Sequence, residues 1–475
     1  MATLVFLVSC PCLFAQTMKV LVHMTDEQET YLRTEVFPLF EKENAVAIHC
    51  ENFDSFDEIA VKLDQFKDSV GLVKVPFVKE WELVDKGYIL SLNSLLSASD
   101  MNDFRKTYAC WWLGARDNQV YFVPRKFETR IMAYRPSKVA WALDNWKKYA
   151  PAIDSLLSKV NGRGLPARFA LKTDPDQWDF FDVFVAGYAW RQGEFSGVKK
   201  PRIAHRGKLY DGTALRLVDR VHECGGDSYS LFNMNGKAVL DSYLWEAVYA
   251  WGGIYDSLMW TDHWTGQQLW DGFLSGAIFL SFFTQLDCIS VLNKEVGPEN
   301  MQKDASVDFA TSLMPRGCSI ELDKKKEPLR RGVHRVTTGG WLWGIPKRCK
   351  NPAMALKLAL FITNRENQIK ECAKFGMVPV RYDVIKDPMA LFKGGPIRDV
   401  FATSYEQIQA NDNFVLPSGA AMDSITRCYL DAWKNIVVDK NWAPGPGKAP
   451  NARFLATLLE KNYAERISRM MRGGK

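Results

Sequence analysis

The chain has 475 residues, a formal net charge of +6, and 24% charged and 47% apolar residues. This balance excludes a disordered, collagenous or coiled-coil protein, and the length supplies chain for two or three domains with sizeable cores. The positive surplus is too small and too spread along the sequence to indicate a nucleic-acid-binding protein. The 16 tryptophans either fill cores or, in part, line a site.

The N-terminal segment resembles an export signal. Residues 1–16 carry no charge, and residues 4–15 form an apolar run that is too short to span a bilayer. The quartet LVSC at residues 7–10 has the form of a bacterial lipobox, which makes Cys10 a candidate for lipidation. Because the first basic residue is Lys19, the usual basic region is missing, and a longer leader or a plain apolar N-terminus stays an alternative. We expect export.

The N-terminal third alternates strands and helices. Strands are predicted at residues 18–24, 45–50 and 70–75, and helices after Thr25 or Asp26 and at residues 56–66 and 78–85. Two further strands, 119–123 and 130–134, are separated by the segment PRKFET, which we interpret as a loop. This alternation predicts a parallel α/β sheet.

The rest of the chain is richer in helices. Helices are predicted at residues 141–160, 179–188, 215–223, 243–251 and 352–363, and strands at 277–283, 309–315 and 340–346. The last hundred residues are mostly helical. Since no internal repeat or low-complexity linker is present, two α/β lobes joined by several crossings fit the pattern better than separate domains in a row.

The sequence holds no recognised catalytic or metal-binding motif. It has no GxSxG elbow, P-loop, HExxH or paired CxxC, and its ten cysteines are scattered as expected for isolated buried thiols. Asp262 stands beside His263, but neighbours in sequence usually point in different directions. We therefore expect a binding protein without metal or cofactor.

Aromatic residues crowd in two places. One group lies within residues 251–270 and comprises Trp251, Tyr255, Trp260, Trp264 and Trp270. In the other, Trp341 and Trp343 alternate along a predicted strand after two glycines. The flat apolar face and the N–H donor of an indole suit sugar rings and also cations, and core packing is the alternative for each. We expect substitution of Trp251, Trp341 or Trp343 to reduce binding with little loss of stability.

Six segments in chain order carry a resemblance to a known family: VGLVKVPFVKEWELVDKGYILSLNSLL, QVYFVPRKFETRIMAYRPSKV, HECGGDSYSLFNMNGKAVLDS, WDGFLSGAIFLSFFTQ, TTGGWLWGIPKRCKNPAMALKLALFITNRENQ and FGMVPVRYDVI. They resemble the bacterial extracellular solute-binding proteins of ABC transporters, in the family that includes maltose- and oligosaccharide-binding members. The fifth segment is the most specific, with a Gly-rich strand, Pro-Lys, and Asn-Pro opening a helix. The tryptophan density of WGGIYDSLMWTDHWTG departs from the family and bears on the ligand rather than on the fold.

The resemblance implies a type II periplasmic-binding-protein fold, in which two α/β lobes joined by hinge crossings close on a solute. It places lobe I at residues 17–135 and 272–320, and lobe II at residues 136–271 and 321–475. It implies a monomeric periplasmic or extracellular protein that binds a carbohydrate between the lobes and delivers it to an ABC permease. It implies no enzymatic activity, no cofactor, no nucleic-acid partner, and no membrane contact beyond a lipid anchor at Cys10.

Motif position also implies a set of ligand contacts: His23, Thr25, Asp26, Asp54, Lys126, Phe127, Glu128, Thr129, Trp251, Tyr255, Gly340, Trp341 and Trp343. For three of these residues a structural role without ligand contact is an alternative. Glu128 also fits a surface salt bridge, Asp54 a helix cap, and Lys126 a solvated loop charge like its neighbour Arg125.

Other functions stay open at this point. The same indoles could cage a cationic or zwitterionic solute, polyamine- or betaine-like, together with Asp54 and Glu128. A glycoside-active enzyme is a second alternative, because its paired carboxylates leave no spacing signature. A third is a receptor with the same fold that feeds no transporter.

Overall fold

The computed structural model describes residues 16–297, 307–387, 391, 394–411 and 420–473. The candidate lipidation site Cys10 lies outside these residues, and Gln16, the last residue of the expected leader, already begins a strand. The strands are, in chain order, β1 (Gln16–Val22), β2 (Val46–Asn52), β3 (Val70–Pro76), β4 (Ala115–Arg116), β5 (Gln119–Val120), β6 (Phe122–Glu128), β7 (Arg130–Tyr134), β8 (Ile203–Ala204), β9 (Leu280–Thr284), β10 (Ala310–Ser312) and β11 (Gly339–Gly344).

The α-helices follow the same order of presentation: α1 (Asp26–Tyr31), α2 (Phe37–Asn44), α3 (Glu58–Phe66), α4 (Glu80–Asp85), α5 (Ala98–Thr107), α6 (Pro136–Asn145), α7 (Ala150–Asn161), α8 (Phe180–Gln192), α9 (Asp211–Glu223), α10 (Lys237–Trp251), α11 (Leu258–Thr261), α12 (Gly266–Leu274), α13 (Gln285–Val296), α14 (Pro352–Ile362), α15 (Arg365–Phe375), α16 (Tyr382–Ile385), α17 (Pro396–Ala410), α18 (Ala420–Trp433), α19 (Ala452–Leu459) and α20 (Glu465–Gly473). In the described part of the chain three segments are π-helical: Leu32–Val36, Lys434–Val438 and Glu460–Ala464. Within the described ranges, every helix is too short or too polar to cross a bilayer.

The chain forms two compact units. Unit 1 consists of Met1–Arg125 and Trp341–Gln368, of which residues 16–125 and 341–368 are described, and unit 2 consists of Lys126–Gly340 and Ile369–Lys475. The chain therefore passes from one unit to the other three times, and β6 and β11 each contain one of these crossings.

This division differs from the expected one. Residues 272–320 belong to unit 2 rather than to the N-terminal lobe, because β9 pairs with β7 and β8 in the second sheet. Residues 341–368 belong to unit 1, because Trp341–Gly344 pairs with β3. Strands were predicted in both segments, at residues 277–283 and 340–346, but their pairing partners are distant in sequence.

Unit 1 is built on a five-stranded sheet in the order β2-β1-β3-β11-β6. β1 runs parallel to both β2 and β3, whereas β11 is antiparallel to β3. Every residue of β3 is buried, as expected for a central strand with both faces covered. The predicted parallel α/β arrangement of the N-terminal third is therefore present, with β11 added from a distant part of the chain.

Unit 2 contains a four-stranded sheet in the order β10-β7-β9-β8, and long helices precede and follow these strands along the chain. Its core is rich in indoles, since Trp178, Trp190, Trp245 and Trp433 are all fully buried. The eight described cysteines are free thiols, and all but Cys349 are buried.

Two predictions of secondary structure were wrong. The predicted loop PRKFET is largely strand: β6 extends from Phe122 to Glu128 because it pairs with β11, and Phe127 also bridges to Val378. The predicted helix 141–160 is two helices, α6 and α7, which are separated around Trp146–Lys148. Pro151 stands in the first turn of α7, where a missing N–H costs nothing, and so marks a helix start.

Candidate functional site

The ends of four strands of unit 1 meet at one edge of its sheet. The parallel strands β1, β2 and β3 end there at Val22, Asn52 and Pro76. β11 runs in the opposite direction and starts at the same edge, where Trp341 is paired with Pro76. The carboxyl ends of parallel strands are the usual ligand-binding edge of an α/β sheet. We call the residues at this position the carboxyl edge.

Four rings form an aromatic cluster at the carboxyl edge: His23, Phe53, Phe56 and Trp341. The His23 and Trp341 rings stack with centroids 5.6 Å apart and an interplanar angle of 21°. Phe56 stands edge-on to both, at 5.0 Å from His23 and 5.5 Å from Trp341. Phe53 is buried beneath, 5.7 Å from His23, whereas His23, Phe56 and Trp341 are partly exposed. The cluster thus presents aromatic surface to solvent on a buried support.

A buried lysine supports the cluster from inside the sheet. The Lys74 ammonium lies 3.7 Å from the centroid of the Trp341 indole and donates a hydrogen bond to the backbone carbonyl of His23. Lys74 belongs to β3 and is only 1% exposed. This single side chain therefore ties together β1, β3 and β11 where they reach the carboxyl edge, and a cation over an indole face is attractive.

Hydrogen bonds hold the loops that follow β1 and β2. The Asn52 side-chain amide accepts from Met24 N at 3.3 Å and donates to Met24 O at 2.9 Å, and it also donates to Glu29 Oε2 at 3.1 Å. His23 Nδ1 lies 2.7 Å from the Phe53 carbonyl oxygen. Because each loop is bonded to the other, the aromatic cluster is held in place before any ligand arrives.

Three of the predicted contacts are exposed polar residues beside the cluster. Thr25 caps α1, accepting a hydrogen bond from Gln28 N at 3.3 Å, and Asp26 is the first residue of that helix. Asp54 is exposed, and within the described residues its carboxylate makes no hydrogen bond. The cap position of α3 is taken by Asp57, so the helix-cap interpretation of Asp54 was wrong. Ligand contact by Thr25, Asp26 and Asp54 stays a prediction.

The predicted contacts of β6 are largely enclosed in unit 2. Lys126 is buried, and its ammonium pairs with Glu128 Oε1 at 2.7 Å, so the solvated-charge interpretation was wrong and the salt-bridge interpretation of Glu128 is confirmed. Phe127 is buried. Thr129 is also buried and accepts a hydrogen bond from Asn411 Nδ2 at 3.3 Å. Ligand contact by any of these four residues stays a prediction.

Gly340 has a backbone role. Its φ of +145° is one that residues with a side chain rarely adopt, and a Cβ added there would lie 2.3 Å from the Lys126 carbonyl oxygen. Only glycine therefore allows β11 to pass this close to β6.

Tyr255 belongs to a buried polar network in unit 2, which places it in the core. It is 2% exposed, its hydroxyl donates to Glu246 Oε1 at 2.8 Å, and it accepts from the Arg220 guanidinium. Glu246 also accepts from Arg220 Nε at 2.9 Å and from Trp433 Nε1 at 3.0 Å. Burial alone would raise the pKa of Glu246, but Arg220 and His205 outweigh it and hold that pKa below its ordinary value. The network explains the burial of Tyr255 without a ligand.

The three tryptophans singled out from the sequence fall into different surroundings. Trp341 is partly exposed in the aromatic cluster, and Trp251 is partly exposed at the end of α10. Trp343 is fully buried, with the Arg125 guanidinium 5.6 Å from its ring, so it presents no face to solvent and is a core residue. The expectation that substitution of Trp343 would cost little stability was therefore wrong, because it assumed an exposed indole.

Four residues of the site, Asn52, Phe53, Phe56 and Lys74, were missed in the sequence. For Lys74 a signal exists, because a lysine interrupts the otherwise apolar strand VGLVKVP. A charged residue in the middle of a central strand needs a partner, and that partner is found at the carboxyl edge.

Residues 39–393 match the profile of a family described as bacterial extracellular solute-binding protein. No curated protein sequence matches the chain.

Solved structures match over nearly the whole chain. They include maltose-bound MalE3 of T. maritima (13% identity, TM-score 0.60, covering 94% of this chain and 100% of that one). The cyclic alpha-maltosyl-1,6-maltose binding protein of Arthrobacter globiformis gives 12% identity and a TM-score of 0.65 over 95% and 99% of the two chains. MalE of Listeria monocytogenes, in complex with maltose, gives 14% and 0.60 over 95% and 98%. At such identities the similarity concerns the fold, and it confirms the predicted α/β periplasmic-binding-protein fold.

Proposed function

Because the chain belongs to the bacterial extracellular solute-binding protein family, we propose that it binds a carbohydrate, either a sugar or an oligosaccharide, and delivers it to the transmembrane permease of an ABC importer. The observation that carries the proposal is the aromatic cluster of His23, Phe53, Phe56 and Trp341 at the carboxyl edge of unit 1. Its partly exposed rings offer flat apolar surface to the C–H faces of a sugar.

Polar groups beside the cluster supply the complementary half of a sugar site. The side chains of Thr25, Asp26 and Asp54 are exposed next to the rings and can bond ring hydroxyls. A solute lacking those hydroxyls would leave them desolvated without partners, which selects against it. The solved structures named above support this solute class, since their own ligands are maltose or a cyclic maltosyl-maltose.

The charge arrangement argues against a cationic solute. The ammonium of Lys74 already lies over the ring of Trp341, and the carboxylate of Glu128 is already paired with Lys126. A polyamine would meet an indole that already has a cation on its ring and would gain only the exposed carboxylates of Asp26 and Asp54, whereas an uncharged sugar uses those carboxylates as hydrogen-bond acceptors. Binding, with no bond made or broken, is the proposed activity.

The remaining assignments belong to the same proposal. The protein acts outside the cytoplasmic membrane as a monomer, and Cys10 is its candidate lipid anchor. Of the predicted contacts that lie in unit 2, Trp251 and Glu128 are partly exposed and the others are buried.

Titration calorimetry tests the solute class. Maltooligosaccharides and monosaccharides are titrated against spermidine and glycine betaine, using the unaltered chain, Trp341→Ala, and Trp111→Ala as a matched control. Trp111 is also a partly exposed indole of unit 1 beneath a cation, Arg105 at 4.5 Å, but it lies outside the cluster. We expect sugar binding that weakens about 30-fold or more in Trp341→Ala and is unchanged in Trp111→Ala. Tight spermidine binding with no sugar heat would overturn the proposal.

A further inference from the structure

A hairpin of unit 2 carries a basic turn. Cys318 and Arg331 pair across its base, and Leu322 and Pro328 pair further along. The turn is closed by hydrogen bonds from Lys326 N to Asp323 O at 3.0 Å and from Asp323 N to Glu327 O at 2.8 Å. Its outermost residues are therefore the two exposed lysines Lys324 and Lys325.

The loop that follows α7 is bonded directly to this hairpin. Asn161 Nδ2 donates to Ile320 O at 2.9 Å, and Ala167 N donates to Lys326 O at 3.0 Å. The exposed residues Arg163 and Arg168 belong to this loop, and exposed Lys159 stands in the last turn of α7. The two segments thus bring five exposed cations onto one surface, which we call the basic patch: Lys159, Arg163, Arg168, Lys324 and Lys325.

The basic patch carries a local surplus of positive charge in the described part of the chain. Among the described residues, none of the five cations has a carboxylate within 4 Å. Residues 154–168 and 318–331 carry eight basic side chains and four carboxylates. Three of the carboxylates form the ion pairs Asp154–Lys326, Glu327–Arg331 and Glu321–Arg330, and Asp323 accepts the turn bonds from Lys325 N and Glu327 N. The formal surplus of the whole chain is only +6, so the patch concentrates charge that is balanced elsewhere.

An exposed leucine lies on the same hairpin. Leu329 is 50% exposed, and its backbone N–H bonds Glu321 O across the hairpin at 2.9 Å. Long flexible cations on a turn and a loop, with an apolar side chain beside them, fit a planar anionic surface whose charges have no fixed spacing. They fit a folded protein partner less well, because no geometry on the patch prescribes paired contacts.

We propose that the basic patch docks this protein on the anionic phospholipid headgroups of a membrane surface. Each lysine or arginine close to such a surface contributes an electrostatic attraction to the headgroups that strengthens binding about fivefold. This attraction acts within a Debye length and is weakened by salt. Docking concentrates the protein at the plane of the membrane without a covalent anchor. It involves no residue of the aromatic cluster and is independent of which solute is carried.

Vesicle co-sedimentation tests the proposal. The full chain carrying Cys10→Ser, so that no covalent lipid contributes, is mixed with vesicles of phosphatidylcholine alone or with about 30% phosphatidylglycerol, which gives the vesicle surface a negative potential. We expect binding only to the anionic vesicles, and its loss at high salt. Lys324→Gln with Lys325→Gln weakens the partition about 30-fold, and adding Arg163→Gln with Arg168→Gln abolishes it.

A matched control distinguishes an effect of the basic patch from a general effect of removing positive charge. Lys147→Gln with Lys148→Gln removes the same charge from exposed lysines that precede α7, at the opposite end of that helix from Lys159. We expect this pair to leave vesicle binding unchanged. An equal loss of vesicle binding in the control variant would overturn the proposal. Binding to heparin without binding to anionic vesicles would also overturn it and would indicate an acidic macromolecule as the partner. Solute titration of the same variants stays unchanged, so failure here is distinguishable from failure of the proposed function.

Discussion

The ammonium of Lys74 lies 3.7 Å from the centroid of the Trp341 indole, inside a sheet where Lys74 is almost completely buried. The same ammonium donates to the carbonyl of His23, whose ring stacks on that indole. A buried cation thus connects two of the rings that we propose to hold the solute. Lys74 is a positioning residue, because it acts on the solute through Trp341 and His23.

Replacement of Lys74 by Met is expected to weaken sugar binding about tenfold, because the contact that orients Trp341 is lost while the volume is kept. A double-mutant cycle with Trp341→Ala, measured by calorimetry, checks this. We expect Lys74→Met to have little further effect once Trp341 is Ala.

Lys19→Met is the control for this prediction. Lys19 also places its ammonium 3.7 Å from an aromatic centroid, that of Phe66, and belongs to the same sheet, but it lies outside the cluster. Fully additive losses of affinity for Lys74→Met and Trp341→Ala would contradict the positioning role.

Trp343→Ala and Trp341→Ala are expected to separate stability from binding. Trp343 is fully buried, so its truncation leaves a cavity and lowers the free energy of unfolding by about 3–5 kcal/mol. Trp341 is partly exposed, so its truncation costs less stability and more affinity. Urea unfolding and titration calorimetry on both variants check the comparison, and a larger loss of stability in Trp341→Ala would refute it.

Gly340→Ala is expected to destabilise the protein more than Gly162→Ala. Both glycines have positive φ, so alanine is strained at either position by roughly 1–3 kcal/mol. A Cβ at Gly162 meets nothing within 4 Å, whereas one at Gly340 meets the Lys126 carbonyl oxygen at 2.3 Å and displaces backbone. Midpoints of urea unfolding measure the difference. Equal midpoints for the two variants would show that β11 can move away from β6 at no cost.

Glu223 is expected to make stability depend on pH. Burial raises the pKa of Glu223 to about 7 against the opposing effects of Arg216 and Arg220. Since the folded protein then holds this proton more tightly than the unfolded chain, its contribution to stability is present below the unfolded pKa of 4.5 and is lost as the pH rises through about 7. Glu223→Gln keeps the neutral form at every pH.

The measurement for Glu223 is the difference in free energy of unfolding between Glu223→Gln and the unaltered chain at pH 5 and pH 8. We expect the variant to gain stability relative to the unaltered chain as the pH rises. The pH dependence contributed by other titrating groups is common to both proteins and cancels in the difference. Burial of His222, for example, lowers its pKa to about 4 and acts in the opposite direction. A difference that is constant between the two pH values would contradict the assignment.

Local pattern predicted much of unit 1. Strands 18–24, 45–50 and 70–75 were found close to β1, β2 and β3, because an apolar run bounded by capping residues is visible within a few residues. The choice of His23 and Asp54, which follow two of these strands, came from motif position in the family that the chain resembles. The resemblance added Trp341, which no local pattern would have placed beside His23.

Other features depend on pairs of residues far apart in the chain. Whether PRKFET is loop or strand depends on β11, more than two hundred residues later, and the assignment of residues 272–320 depends on β7. Tyr255 and Trp343 have the same residue types as surface aromatics, and only their surroundings show that they are core. The basic run at Lys324–Lys326 is visible in the sequence, but its junction with Arg163 and Arg168 is not.

By itself, the sequence determined the fold class, the family and the strand ends from which the site is built, because these are encoded in local periodicity and in motif order. Only the tertiary structure decided which indole faces solvent, that Lys74 supports it, and how the segments divide between the two units. The physical reason is that burial and cation–aromatic contact are properties of pairs brought together by the sheet ladder, and pairing across a ladder leaves no mark on either strand alone.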